Sequence, residues 1–142
     1  MRTVKQLLEG KSADIVAVEP DQPVFDAVRK MDQHGVGAVL VMRGQILVGI
    51  LSERDYARKV VLLERSSHST RVDQIMTAQV VTVALQQTVG HCMEVMTRRR
   101  FRHLPVVDEG HVVGVISIGD LVKAVIEEQR ADLDALQRYI VS

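Results

Sequence analysis

Gly49-Ile50-Leu51-Ser52-Glu53-Arg54-Asp55 and Gly114-Val115-Ile116-Ser117-Ile118-Gly119-Asp120 are one pattern written twice: glycine, two aliphatics, serine, two variable residues, aspartate. The spacing is constant, since 114 − 49, 117 − 52 and 120 − 55 each give 65. Moving outward at that shift, Val16 falls on Val81, Val18 on Val83, Val24 on Val89, Met31 on Met96, Val41 on Val106 and Val48 on Val113, with no gap from Ile15 to Val60. Such regularity means that one supersecondary unit was built twice. A unit of this size buries too little surface to stand alone, so the copies are expected to share one core and to carry any site in two pseudo-equivalent forms.

The first copy reads strand, helix, strand, strand, helix. Ile15 to Val18 is a short apolar run ending at Glu19-Pro20 and is expected to be a buried strand. Asp21 and Pro23 mark a helix start, because proline is tolerated where the first-turn N–H has no partner. Val24, Ala27, Val28 and Met31 form an apolar stripe, and Gly35 ends it. Ala38–Met42 and Ile46–Leu51 are apolar runs joined by Arg43-Gly44-Gln45, the pattern of an antiparallel hairpin. A helix is expected from Ser52 to about Leu63. The copy repeats this order, with a strand at Val80–Val83, a helix from Thr88 to about Arg99, strands at His103–Val107 and Val112–Ile116, and a helix from Ser117.

Short amphipathic leads, Val4–Leu8 and Val72–Met76, precede the units. They align at 68 rather than 65, so three residues of the Glu9–Ala13 loop have no counterpart. The domain reading is therefore 1–65 as repeat 1 with its lead, 66–71 as a polar linker, and 72–142 as repeat 2 with a helical extension. In that extension Ile126, Leu133 and Ile140 lie seven apart with Leu136 between them, an apolar seam that must bury against the lead or a second subunit.

Composition narrows the function. Eighteen basic and eighteen acidic residues cancel, which argues against nucleic-acid binding through bulk positive charge. Aromatics are 3% with no tryptophan, so stacking platforms for single strands are nearly absent. Cys92 is the one cysteine and cannot form an intramolecular disulfide, which fits a reducing cytoplasm. The first residues lack the apolar run of a signal peptide, and no stretch reaches membrane-spanning length, so no membrane association is expected. His34, His68, His91, His103 and His111 show no metal-ligand spacing. His91 and Cys92 are neighbours on a helix and point apart, while Met31, Met93 and Met96 read as packing. No nucleophile–base set and no Gly-rich phosphate loop is visible.

Taken together, the two Gly-aliphatic-aliphatic-Ser-x-x-Asp stretches and His103-Leu104-Pro105-Val106-Val107-Asp108 resemble the cystathionine-β-synthase (CBS) domain pair, or Bateman module, from about Val4 to about Val125. The first copy departs at Ala38-Val39-Leu40-Val41-Met42, which lacks the His, Pro and Asp, so its site need not be equivalent. The resemblance implies an α/β fold of tandem pseudo-twofold β-α-β-β-α repeats packed as one module, here with an extended C-terminal helix. It also implies a free-standing, non-catalytic regulatory sensor, a homodimer, whose clefts bind AMP, ADP, ATP, S-adenosylmethionine or NAD-like dinucleotides. With no output domain recognisable in the chain, an unidentified protein target is expected to receive the signal.

Chemistry supports this at the aspartates. A carboxylate only accepts hydrogen bonds, so Asp55 or Asp120 can take both hydroxyls of a ribose in charge-assisted bonds. Ser52 and Ser117 open the following helices, where free N–H groups and the helix dipole favour phosphate. The same Ser-x-x-Asp is also a capping arrangement, and the two roles are compatible. By resemblance each cleft draws on both repeats. One would hold Ser52, Arg54, Asp55, Thr77, Gln79, Val81, Phe101, Arg102 and His103; the other would hold Lys11, Asp14, Val16, Gly37, Ala38, Ser117, Gly119 and Asp120. The small Gly37-Ala38 pair suits close approach of an adenine, and Gly119 opens space where Arg54 adds charge. Arg98, Arg99, Arg100 and Arg102 form the densest basic cluster, read either as a solvated helix end or as phosphate capture by Arg102 with His103. The competing readings are a structural or oligomerisation protein with vestigial nucleotide sites, and a nucleotide hydrolase.

Overall fold

The computed structural model describes residues 2–11 and 14–141. Two compact units divide the chain. The Asp55 unit is Asp14–Val81 with Gly110–Val112, and the Asp120 unit is Met1–Ala13, Thr82–Glu109 and Val113–Ser142. These are a different division from the sequence repeats, because each lead belongs to the unit of the other repeat.

In the Asp55 unit β1 (Ala17–Val18) pairs in parallel with β2 (Ala38–Arg43), and β2 pairs antiparallel with β3 (Ile46–Ser52). Parallel neighbours need a crossover, and α2 (Val24–His34) supplies it. Gly35 closes α2 in the left-handed conformation at φ 63°, as its position requires. Gly44, at φ 60°, makes the tight turn of the hairpin. Val24, Ala27 and Met31 of α2 bury against Val18, Val39, Val41, Leu51 and Val60, with Val72 and Ile75 from the lead α4 (Val72–Ile75). The expected single helix after Ser52 is α3 (Glu53–Tyr56) running into a π-helical segment, Ala57–Val61, where Leu62 N–H reaches back to Ala57 O at 3.0 Å.

The Asp120 unit holds α1 (Val4–Glu9), α5 (Val89–Arg99), β4 (His103–Asp108), β5 (His111–Ser117) from Val113 onward, and α6 (Ile118–Val141). Arg100 occupies the position of Gly35 and is itself left-handed, at φ 59°. The strand expected at Val80–Val83 does not form: Val83 makes only an isolated parallel bridge to Val106. The reason is Pro105. In the first copy Leu40 N–H donates to Val16 O at 3.0 Å, but Pro105 stands where Leu40 does and has no N–H to give Val81. Val83 still donates to Pro105 O and accepts from Val107 N–H, both at 3.0 Å.

The leads dock by the same bonds in both units. Val4 and Lys5 N–H donate to Gln87 and Leu85 O at 2.8 and 3.0 Å; Val72 and Asp73 N–H donate to Gln22 and Pro20 O at 2.9 and 2.9 Å. Val89 N–H returns a bond to Arg2 O, and Val24 N–H to Thr70 O. The polar stretch after Arg65 is thus docked: Phe25 N–H donates to Ser67 O, Tyr56 Oη shares a hydrogen with Ser67 Oγ, and Phe25 stacks on His68 at 4.3 Å.

The same alignment explains the two strand glycines. A Cβ on Gly49 would lie 2.5 Å from Met76 Sδ, and one on Gly114 2.6 Å from Leu8 Cδ2. Leu8 and Met76 are equivalent at the lead shift of 68. Each glycine is the socket for a lead side chain.

The apolar seam of α6 is largely uncovered. Ile126 is 43% exposed, Leu133 58% and Ile140 73%. The N-terminal segment reaches the helix at an ion pair, Arg2 Nη1 to Glu127 Oε2 at 2.6 Å. Beyond that contact the outer half of the seam is exposed among the described residues.

Candidate functional site

Both aspartates stand where a buried strand end turns into a helix. Leu51 and Ile116 are wholly buried, which fixes the backbone just before each serine. The first helical N–H is held by the preceding segment: Glu53 donates to Gly37 O at 3.0 Å, and Ile118 donates to Arg102 O at 2.8 Å. Gly37 and Arg102 therefore act through backbone carbonyls at equivalent places, each in its own unit.

Around Asp55 the capping box is complete. Ser52 N–H donates to Asp55 Oδ2 at 3.0 Å, and Asp55 N–H donates to Ser52 Oγ at 3.2 Å. Ser52 Oγ also donates to Oδ2 at 3.1 Å, while Thr77 Oγ1 lies 3.5 Å from Oδ1. Lys59, one turn on, puts its ammonium 3.2 Å from Oδ1 and donates to Ile75 O at 3.0 Å. Asp55's side chain is left 14% exposed. Thr77 joins the site because the stretch after α4 bridges β3, with Ile50 and Thr77 exchanging bonds of 3.0 and 2.8 Å. Arg54 and Gln79 are exposed, and Val81 is half-buried.

Around Asp120 the box recurs, with Ser117 N–H to Asp120 Oδ2 at 2.8 Å and Asp120 N–H to Ser117 Oγ at 3.2 Å. The ammonium has another origin. Lys11 Nζ lies 2.6 Å from Asp120 Oδ2 and donates to Val115 O at 2.9 Å. Val115 is the counterpart of Ile50, whose carbonyl takes Thr77 N–H, so a side chain from the lead loop stands in for a backbone donor. Burial pushes the Asp120 carboxyl up, but the Lys11 ammonium and the Ser117 donors outweigh it and hold the group below the usual carboxylate range. A Cβ at Gly119 would sit 3.6 Å from Ser117 Oγ, ordinary contact, so the position is small without being sterically forced.

Of the remaining expected residues, Phe101 and His103 are half-buried and Arg102 exposed in the Asp120 unit. Asp14 is exposed, and Val16, Gly37 and Ala38 are half-buried, in the Asp55 unit. Arg98, Arg99 and Arg100 are exposed at the end of α5. Lys59 was missed by the sequence reading. Its signal was available as an Asp-to-Lys spacing of four on one helix, which brings the two side chains together. Cys92 is wholly buried on α5, and burial pushes its thiol up, as expected of a core residue. Among the described residues no cluster of metal-ligating side chains occurs and no helix is long and apolar enough to cross a membrane.

The CBS domain family model matches residues 4–62 and 72–127. A mitochondrial CBS domain-containing protein of Arabidopsis thaliana, CBSX3, is 44% identical over 93% of this chain and 68% of its own length. A protein with CBS domains from Burkholderia ambifaria is 51% identical and superposes at TM-score 0.87 over 90% of this chain and 96% of that one. At 21% identity the fold alone is shared with the CBS domain pair of protein MJ0100, solved with 5′-methylthioadenosine and S-adenosyl-L-methionine; its TM-score is 0.78 over 89% of this chain and 98% of that one.

Proposed function

On the premise that the chain belongs to the CBS-domain family, we propose that it is a regulatory module that binds adenosine-containing nucleotides and signals their occupancy to a partner protein. AMP is the first candidate, with NAD and ATP behind it. One observation carries the reading: the same serine-capped, half-buried carboxylate stands twice, 65 residues apart, each time held against a lysine ammonium. A helix cap alone calls for no such lysine, whereas a carboxylate is the acceptor a ribose diol requires. The adenosine compounds held by the MJ0100 domain pair support the same ligand class. Ligand preference for one arrangement of the chain over another transmits the signal, and only to the extent of that preference.

The module is further proposed to be non-catalytic, cytoplasmic and homodimeric, with the exposed α6 seam as the subunit contact. The competing reading, a structural protein with vestigial sites, draws on the capping boxes, which satisfy both carboxylates without ligand.

Calorimetry with AMP and 2′-deoxy-AMP separates the two. The deoxy ligand should bind more weakly by about 1–3 kcal/mol, because the carboxylate loses a donor. A melting temperature unmoved by millimolar AMP, ATP, NAD or S-adenosylmethionine would favour the structural reading. Turnover of ATP or NAD that is lost in Asp55→Ala or Asp120→Ala would instead make the protein an enzyme.

A further inference from the structure

Lys11 belongs to the loop that spoils the repeat. The leads align at 68 and the bodies at 65, so the loop containing Lys11 carries three residues that the second copy lacks. Asp55 receives its ammonium from Lys59 on its own helix, and the equivalent of Lys59 in the second copy is Ala124. The Asp120 unit has no lysine at that helical position and draws one from the loop instead. The substitute differs in kind. Lys59 lies on the helix that carries its aspartate, whereas Lys11 reaches across from a separate segment; their side chains are 43% and 35% exposed.

From this geometry we infer that Lys11 is a specificity-determining residue of the Asp120 site: it neutralises the empty site, is displaced by a ribose diol, and selects ligands whose own anionic group takes up the released ammonium. The inference rests on the proposed nucleotide reading. Asp120 Oδ2 already receives Ser117 N–H at 2.8 Å and Lys11 Nζ at 2.6 Å. A ribose diol that spans both carboxylate oxygens brings one hydroxyl to Oδ2, where it competes with Lys11. Hydroxyls are neutral and do not replace its charge. A neutral nucleoside leaves the ammonium to solvent, whereas a nucleotide returns it a phosphate on the same ligand. The Asp120 site accordingly favours AMP over adenosine, and Lys11 supplies a defined share of that preference.

The test is calorimetric titration of AMP and adenosine into the full chain carrying Asp55→Asn, which leaves the Asp120 site to report. Lys11→Met and Lys11→Arg are compared in that background, with circular dichroism melting to confirm folding. With Lys11 present, AMP should bind about tenfold or more tighter than adenosine. Lys11→Met should collapse that ratio by about tenfold, weakening AMP while leaving adenosine equal or tighter, and Lys11→Arg should restore most of it. An unchanged ratio in Lys11→Met, or equal weakening of both ligands, makes Lys11 a mere pin for the lead and overturns the inference while the nucleotide reading stands. Heat from neither ligand, in this background and in the unsubstituted chain alike, overturns the nucleotide reading and the inference with it. Heat from the unsubstituted chain alone places binding at Asp55 and overturns the inference only.

Discussion

Gly49→Ala should destabilise the protein because β3 accepts the second lead at that residue with no room for a methyl group. The new Cβ would stand 2.5 Å from Met76 Sδ, 3.0 Å from Met76 Cγ and 3.1 Å from Thr77 O. Carbon contacts are comfortable near 3.5–4.0 Å, so all three are compressed. Met76 can swing away at the cost of its packing. Thr77 O cannot, because Thr77 and Ile50 hold each other by two backbone bonds. Overpacking of this kind costs about 1–3 kcal/mol. Alanine recovers about 0.5–1 kcal/mol of it, since glycine is the poorer strand residue. The net loss is then about 0–2.5 kcal/mol and centres on about 1 kcal/mol, with about 2–4 °C in melting temperature per kcal/mol for a chain of this size. Urea unfolding measures it, and a double-mutant cycle identifies its source. In a Met76→Ala background two of the three compressed contacts vanish, so the cost of Gly49→Ala should fall by about half or more. A Gly49→Ala protein as stable as the parent, or an identical cost in both backgrounds, would refute the socket argument. Gly114→Ala should behave likewise, with Leu8→Ala as its relief.

Ser52→Ala and Ser117→Ala each remove an N-cap acceptor and should each cost about 0.5–2 kcal/mol in urea unfolding. The Asp120 carboxyl titrates below its unfolded value, near 3.9. Its stabilisation is therefore fully present above that value and lost as pH falls through the lower, folded one. The stability gap between the parent and Asp120→Asn should be constant above about pH 5 and close progressively below about pH 4, as read by denaturant titration; a gap that ignores pH would contradict the ion pair. Leu133→Glu with Ile140→Glu should convert the proposed dimer to monomer in light scattering with its helical circular dichroism kept, and a parent that is monomeric at high concentration would remove the α6 interface.

What the sequence disclosed was the period, and with it the hairpins, the helices α2, α5 and α6, and both capped aspartates. These follow from local chemistry: a glycine with positive φ, an apolar stripe, a serine three residues before an acid. Lead exchange was not legible in the same way. The shift of 68 shows that the leads were copied as pairs, but Leu8 fits under Gly114 only through a fold that no local pattern encodes. The strand expected at Val80–Val83 failed for a readable reason. Pro105 is part of the strand motif and at the same time a residue with no N–H to donate. The docked Ser66–Thr70 stretch is polar and looks like a spacer, yet its backbone carbonyls answer the N–H groups at the start of α2, which have no partner inside the helix.

The two copies agree in backbone and differ in charge, and the difference bears on what the carboxylates are for. Lead bonds, the parallel bridge of Val18 to Val41 and Val83 to Val106, and the carbonyls of Gly37 and Arg102 all recur at fixed shifts. The lysines do not: one comes from a helix and the other from an inserted loop. A cap alone needs neither lysine, since the helix N-terminus already favours an anion there. Two unrelated routes to the same ion pair point instead to a carboxylate whose charge matters beyond the cap. One lysine shares its aspartate's helix and the other comes from a separate segment, so the two carboxylates are held by unlike partners despite their common place in the repeat.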